Sequence, residues 1–378
     1  MIKKKKVIIG LSGGVDSSVA ALLLIKEGYD VEAVFMRNWD SLINNDIEGN
    51  PNLNNKVCPQ EEDYMDAVKV AEKLNIKLHR VDFIEEYWNK VFLYFLDEYK
   101  KGRTPNPDIM CNKEIKFKSF IDYAKDLNYD YIAMGHYAIM DHKNNHKLLK
   151  AKDLNKDQTY FLCYLSKKQL EKVLFPIGHL TKQEVRKIAK ENDLITYNKK
   201  DSTGICFIGE RHFKEFLHNY LPTKRGNIIN INDNKIIGTH DGLMYYTLGQ
   251  RKGLNIGGLK DYPNLPWFVV KKDLDNNILY VAQGNDDILY SNKLIMEDVN
   301  FIEDEKDIDY DNITAKFRYR QPDIKVNLKK LDNNLYEISY PSKSRAVTPG
   351  QICCLYNNDI CLGGGIIKEV YIDNQKIN

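Results

Sequence analysis

The chain contains no long apolar run, no excess of either charge and no dense, evenly spaced set of cysteines. Without a run of about twenty apolar residues it has no candidate membrane span, and no membrane partner is expected. The Lys3–Lys6 stretch leads only into a short apolar strand and then Ser-Gly-Gly, so no secretory leader is expected either, and the location expected is the cytoplasm. Fifty-five basic against 53 acidic residues leave a net charge of +2, so any nucleic-acid-binding surface must be a local patch. Seven cysteines, an odd number and nowhere spaced C-x-x-C, exclude a secreted disulfide scaffold and read as reduced thiols. No internal repeat is present. At 378 residues, 43% of them hydrophobic, the chain has room for two or three domains with proper cores.

What the chain does have begins at Val7. Val7, Ile8 and Ile9 form a β-branched run that ends in a glycine-rich turn, and an apolar stretch at helical spacing runs from Val19 to Ile25. Strand, loop and helix in that order present free backbone N–H groups and a positive dipole end to an anion, and Gly13 and Gly14 let it approach closely. The lysine of a Walker loop is missing, and so is the spacing of a dinucleotide fingerprint, which excludes γ-phosphoryl and hydride transfer as natural readings. Ser12-Gly13-Gly14-Val15-Asp16-Ser17 resembles the pyrophosphate loop of the ATP pyrophosphatases, which split ATP between the α and β phosphates and place AMP on a substrate oxygen. Asp16 would repel phosphate, so it organises the loop or a Mg²⁺ ion.

Along the chain the character changes. Up to about residue 200, strands (Val31–Met36, Leu78–Phe83, Tyr131–Met134) alternate with helical patterns (Glu61–Leu74, Phe117–Leu127, Lys182–Glu191), which predicts an α/β domain with a parallel sheet. Asn38–Cys58 shows neither period and is expected to be a mobile loop near the nucleotide. Beyond residue 210, Gly, Asn, Asp and Pro separate short alternating runs (Asn227–Ile231, Trp267–Val270, Ile278–Val281, Ile313–Tyr319, Leu335–Ser339). Breaks near Tyr262–Pro266 and Gly284–Asp287 divide the expectation into a catalytic domain at 1–210, a small central domain at 211–280 and a β-barrel at 281–378.

Two cysteines stand in turn-rich sequence. Thr104–Phe117 carries Pro105 and Pro107, which stiffen the turn and hold Asp108 and Cys111 at one rim, with Lys113 and Lys116 close enough to give Cys111 thiolate character. Cys206 lies in Asp201–Gly209. A cysteine chosen at random is more often a small buried hydrophobe, and that reading suits Cys353, Cys354 and Cys361. Cys58, Cys111 and Cys206 match no cluster motif, and no metal ligands are assigned.

GLSGGVDSSVAA, TPNPDIMCNKEIKF, AMGHYA, KDQTYFL, DSTGICFIGER, YTLGQRKGL and FRYRQ occur in the order found in the bacterial tRNA 2-thiouridylase family (MnmA), which the chain resembles over nearly its whole length. The resemblance implies a pyrophosphate-loop catalytic domain of the adenine nucleotide alpha hydrolase type, a small middle domain and a C-terminal β-barrel. It implies replacement of the C2 oxygen of the wobble uridine by sulfur in tRNAs for Lys, Glu and Gln, with ATP and Mg²⁺, by a cytoplasmic monomer. The sulfur would come from a cysteine desulfurase or a relay protein. Cys206 would carry the persulfide, Cys111 would be the nucleophile and Asp108 the acid or base. Gly10, Leu11, Ser12, Gly13, Gly14, Val15, Asp16 and Ser17, with Met36 and Gly135, would hold ATP. Asn106, Pro107, Asp108, His136, Lys156, Asp157, Gln158, Arg318, Tyr319 and Gln351 would contact tRNA.

The chemistry is coherent without the family. A pyrimidine carbonyl oxygen leaves badly until it is adenylated, and a persulfide on one cysteine with a second thiol to cleave the S–S bond explains two cysteines in separate loops. For a disulfide to form between them, the Cys206 loop is expected to be mobile or ordered only with tRNA. Along Lys316–Arg320 a period of two would put three cations on one strand face and two aromatics on the other. An amidating ligase would share the loop and not need the thiols; a thiolase of other tRNA positions usually carries C-x-x-C pairs; a tRNA-binding paralogue without catalysis would not need Ser12, Asp16, Asp108, Cys111 and Cys206.

Overall fold

The computed structural model describes residues 4–53, 59–201, 204–206, 208–209 and 211–377. The first sheet is built from β1 (Lys6–Gly10), β2 (Asp30–Arg37), β3 (Lys77–Asp82), β4 (Tyr131–Ala133) and the short strand Val173–Leu174, all parallel, in the spatial order β3-β2-β1-β4 and then Val173–Leu174. Val7, Ile8 and Ile9 are completely buried, as in a strand covered on both faces. One cover is α1 (Val15–Lys26), whose Val19, Ala20, Ala21 and Leu24 are inaccessible, together with α2 (Pro59–Leu74) and the helix Lys182–Glu191. The other is a second apolar cluster, rich in aromatics, that runs on into the later domains.

The strand order reverses at β1, which pairs with β2 on one side and β4 on the other. In open parallel sheets the crevice beyond the carboxyl ends at such a reversal is where ligands bind. Here that crevice lies between the loop after β1 and the loop after β4.

A four-stranded sheet follows, Trp267–Asp273, Ile278–Gln283, Gly226–Asn230 and Ile236–His240 in spatial order. The last sheet runs from Ile324–Lys325 through Thr314–Lys316, Ile352–Asn357, Ile360–Ile372, Tyr290–Phe301 and Tyr336–Arg345 to Asn327–Lys330. Its two ends are separated only by Val326, so the sheet curls round and closes, which removes its free edges. A hairpin of the first domain, Ile139–Asp141 with Lys147–Leu149, joins it through Leu149 opposite Ile360.

Three expectations need correction. The strand expected over Ile313–Tyr319 ends at Lys316, because the Phe317 N–H donates to Gln321 Oε1 at 3.1 Å and the Gln321 N–H to the Arg318 carbonyl, bending the chain. Arg318 and Arg320 are exposed, whereas Lys316 is buried against Asp157 and Asp323, so the three cations share no strand face. In the described part of the 38–58 loop two side chains are anchored. Trp39 is buried and donates to Asp46 at 2.9 Å, and Asp46 also accepts from the Arg211 guanidinium. Cys58 lies outside the described residues. Finally, the helix expected to begin at Phe117 begins at Pro107 and is π-wound over Asn112–Ser119 before Phe120–Lys125.

Candidate active site

The anion loop is shaped by glycine where backbone must come close. Gly13 has φ +72°, and a Cβ there would lie 2.1 Å from the Asp63 carbonyl. A Cβ on Gly135, in the loop after β4, would lie 2.7 Å from the Ser17 nitrogen, and one on Gly10 2.7 Å from the Met134 sulfur, with the Met36 methyl at 3.1 Å. Leu11 donates its N–H to the Val34 carbonyl at 2.9 Å and fixes where the loop leaves the sheet. Ser17 Oγ accepts from the Ser12 N–H at 3.2 Å and donates to the Gly14 carbonyl at 3.1 Å, so the loop is braced from within. Gly14 is the N-cap of α1 and supplies no side chain, which leaves the first-turn N–H groups to an anion. These features fit the phosphates of a nucleotide.

Asp16 does not face that cradle unpaired. Its carboxylate accepts from Lys182 Nζ at 2.8 Å and from the Tyr137 hydroxyl at 2.8 Å. Of the two roles left open by the sequence, this geometry matches organising the loop. Lys182 also reaches Asp201 at 2.7 Å, and Asp201 takes Lys156 at 2.6 Å and Arg186 at 3.0 Å. Sequence reasoning missed Lys182, Tyr137 and Asp201 as parts of the site. The one local signal was the capping box of Thr181 with Glu184, which sets Lys182 at the first position of its helix.

The thiols form a second centre. Asn106 caps the helix Pro107–Cys111, its side chain accepting from the Ile109 N–H at 3.4 Å, and Pro107 takes the first turn, where its missing N–H costs nothing. Asp108 then accepts the Cys206 N–H at 3.0 Å, while the Tyr87 hydroxyl donates to the Cys206 carbonyl at 2.8 Å. With both backbone groups held, Cys206 Sγ stands 3.6 Å from Cys111 Sγ. That is far beyond a bonded S–S length of about 2.05 Å, so the pair is two thiols in contact. Among the described residues of this loop, the Ile208 and Gly209 N–H groups donate to the Ile205 carbonyl in a turn next to Cys206.

Electrostatics divides the pair. Burial pushes the Cys111 thiol well up, whereas the hydrogen bond from Cys111, and after it the nearby Lys116 charge, brings Cys206 down against the effect of burial. The downward shift expected at Cys111 thus falls on Cys206 instead. Lys113 instead lies over the Tyr164 ring. Burial also raises Asp108, opposed by the Cys206 N–H and Lys116.

The loop Met134–Tyr137 separates the two centres and touches both. Gly135 abuts Ser17, and the buried His136 ring packs between Phe117 and Phe175 with centroids at 5.8 and 5.9 Å. Burial, and then the Lys116 charge, holds His136 well below its usual pKa and so neutral. Tyr137 and Gln158 exchange hydrogen bonds, the Gln158 side chain accepting at 2.9 Å and its N–H donating at 2.8 Å. Asp157 is buried and accepts from the Ala151 N–H and the Thr159 hydroxyl, a structural position. Tyr319 packs on Phe161 at 4.4 Å and reaches the Lys156 carbonyl, while Arg318 donates to the Ala346 carbonyl. Gln351 donates to the Thr104 carbonyl at 2.8 Å and buttresses the segment that precedes Asn106. The remaining described cysteines, 163, 353, 354 and 361, are inaccessible and, like Cys111, unoxidised. Among the described residues no helix is long and apolar enough to cross a membrane, and no cluster of three metal-binding side chains occurs.

Three family models match consecutive parts of the chain: a tRNA methyl transferase HUP domain over residues 5–210, a tRNA methyl transferase PRC-barrel domain over 214–283 and an aminomethyltransferase β-barrel domain over 291–367. Similar proteins include the tRNA-specific 2-thiouridylases MnmA of Acholeplasma laidlawii, 59% identical over 99% of both chains, and of Mesoplasma florum, 58% identical over 97% of this chain and all of that one. The protein of the same name from Phytoplasma australiense is 57% identical over 98% of this chain and 99% of its own. The chain belongs to the tRNA-specific 2-thiouridylase family.

Proposed function

We propose that the protein is a sulfurtransferase that converts the wobble uridine of tRNAs for Lys, Glu and Gln to 2-thiouridine, using ATP with Mg²⁺ and releasing AMP and pyrophosphate. The observation that carries this reading is the 3.6 Å contact between Cys111 and Cys206 beside an anion loop without a Walker lysine. The family models carry the words methyl transferase, yet methyl transfer needs neither a pyrophosphate loop nor two juxtaposed thiols of unequal acidity.

In this reading residues Gly10–Ser17, Met36 and Gly135 bind ATP, and the C2 oxygen of the uridine takes AMP as pyrophosphate leaves. The outer sulfur of a Cys206 persulfide then attacks C2 and AMP departs with the oxygen. Cys111, as thiolate, attacks the Cys206 sulfur of the resulting mixed disulfide. A Cys111–Cys206 disulfide forms, the S–S bond to the nucleoside breaks and sulfur stays on C2. A thiol reductant resets the pair with two electrons. Asp108 serves as the acid or base. Asn106, Pro107, His136, Lys156, Asp157, Gln158, Arg318, Tyr319 and Gln351 line or support the tRNA path, and an anticodon-loop uridine can be splayed into such a pocket without melting a duplex. A cysteine desulfurase or relay protein supplies the persulfide, and the enzyme works as a cytoplasmic monomer, its domains divided near residues 210 and 280.

The test is nucleoside mass analysis of unmodified tRNA incubated with protein, ATP, Mg²⁺, a persulfide donor and a thiol reductant, with the nucleotide products separated. Two-thiouridine with AMP and pyrophosphate is expected. ADP and phosphate, or unmodified uridine, would overturn the reading.

A further inference from the structure

Cys111 ends the helix Pro107–Cys111, and the chain continues without a break into the π-wound segment Asn112–Ser119. In an α-helix of 3.6 residues per turn, positions five apart differ by about 140° around the axis and look in different directions. A π-turn closes from i to i+5 and sets such a pair nearly one above the other. Five residues beyond Cys111 is Lys116. The widened turn therefore brings the Lys116 side chain back to the face that carries Cys111 and, one α-turn earlier, Asp108.

The distortion is held in place from outside. A π-turn displaces carbonyls from their α-helical partners, and buried carbonyls need replacements. Gln169 Nε2 donates to the Phe117 carbonyl at 2.7 Å and the Lys113 carbonyl at 3.3 Å, and Ser119 Oγ donates to the Glu114 carbonyl at 3.0 Å. Phe117 leaves helical geometry altogether, at φ −119° and ψ 15°.

The geometry points to Lys116 as the positioning residue of the thiol pair, a cation turned onto Cys206 by the π-turn, which adds to the hydrogen bond from Cys111 in favouring Cys206 as the thiolate that accepts sulfur. The groups facing Cys206 are Cys111 and Asp108 from the first helix, Lys116 from the π-segment and the Tyr87 hydroxyl from the helix Ile84–Tyr87, with His136 beyond Lys116. Among these, Lys116 alone is positively charged, since His136 is held neutral. Lys116 hydrogen-bonds the Cys206 side chain; burial disfavours its charge, but Cys206, Cys111 and Asp108 together keep its pKa above the ordinary value. The inference deepens the sulfur-transfer reading and rests on it for one step. The Cys206 thiolate attacks the outer sulfur of a donor persulfide, R–S–SH; that S–S bond breaks, Cys206–S–SH forms and the donor leaves as R–S⁻.

The test follows iodoacetamide alkylation of the reduced full-length chain from pH 5.5 to 10, with Cys206 and Cys111 peptides quantified by mass spectrometry. The wild-type Cys206 profile is expected to turn below the free-cysteine value of about 8.5. Lys116→Met should raise that inflection by about one unit, slowing Cys206 alkylation at pH 7 about tenfold, while Lys116→Arg restores it. The same Lys116→Met step should persist in a Cys111→Ala background, where the thiol hydrogen bond is gone. Gln169→Leu, which releases the π-turn and leaves every charge in place, should also raise the inflection, and decides the matter if Lys116→Met does not fold. An unmoved Cys206 inflection in folded Lys116→Met, or in Gln169→Leu where Lys116→Met does not fold, overturns the inference. If the profiles move as expected but wild-type protein leaves tRNA unthiolated, the role of Lys116 stands and the sulfur-transfer reading fails.

Discussion

The Lys182 ammonium lies 2.8 Å from both carboxylate oxygens of Asp16, a residue 166 positions away in the chain. The same ammonium holds Asp201, so one cation ties the anion loop to the segment that leads into Cys206. Burial opposes the Asp201 charge, yet Lys156 and Lys182 hold its carboxyl down at about 2. Loading of the nucleotide loop and placement of the Cys206 turn therefore share a contact.

Removing that contact should separate chemistry from folding. Asp16→Ala and Lys182→Met are each expected to lower AMP and pyrophosphate formation at least tenfold, with a stability loss of about 1–2 kcal/mol, since the pair is only partly exposed. Pyrophosphate release alongside thermal unfolding checks this. Full turnover in either variant would show that the link is incidental.

Arg318 and Lys316 should behave differently although both were read from one stripe. Exposed Arg318 is expected to contact a phosphate, so Arg318→Ala should flatten the salt dependence of tRNA binding by about 0.7–0.9 of slope and leave ATP binding unchanged. Buried Lys316 is held by Asp157 and Asp323, so Lys316→Met should cost about 3 kcal/mol of stability by leaving buried Asp157 without its cation, while Asp323 keeps Lys150. Titrations at several salt concentrations and urea unfolding read the two effects; an unchanged slope in Arg318→Ala removes it from the RNA surface.

Lys272 gives the fold a pH signature. Burial lowers it from 10.5 to about 7, and its ammonium donates to the Gly102 carbonyl at 3.0 Å, joining the middle domain to the first. Between about pH 7 and 10.5 the unfolded chain binds this proton and the folded chain does not, so stability rises with pH across that window, by at most about 1.4 kcal/mol per unit. Lys272→Met should remove that rise and be neutral or stabilising at pH 7. Urea midpoints at pH 7 and 9 test it, and an equal slope in wild type and variant would contradict it.

The parts of the site legible in the sequence were those written in consecutive residues. Ser12–Ser17 declares its loop because Gly13 answers a local steric need, whereas Asn106-Pro107, a cap followed by a first-turn proline, was read only as a stiffened turn. Cys111 and Cys206, 95 residues apart, were paired by motif resemblance, with no local pattern joining them. Lys116 was visible only as a lysine near a cysteine, because a π-turn leaves no apolar period and depends on Gln169, far along the chain. Lys182 read only as the start of a helical pattern. The alternation along Lys316–Arg320 misled because Gln321, a side chain four residues on, captures the Phe317 N–H and ends the strand.

The central claim is that Cys206 carries sulfur and Cys111 resolves it. The most direct measurement follows labelled sulfur from a persulfide donor to the protein and on to tRNA in Cys206→Ser and Cys111→Ser. A hydroxyl forms no S–S bond, so both variants should leave tRNA unthiolated while still adenylating it. Cys206→Ser should remain unlabelled, and Cys111→Ser should hold the label on Cys206. Label on Cys111 with none on Cys206 would contradict the assignment, and thiolated tRNA from both variants would contradict the mechanism.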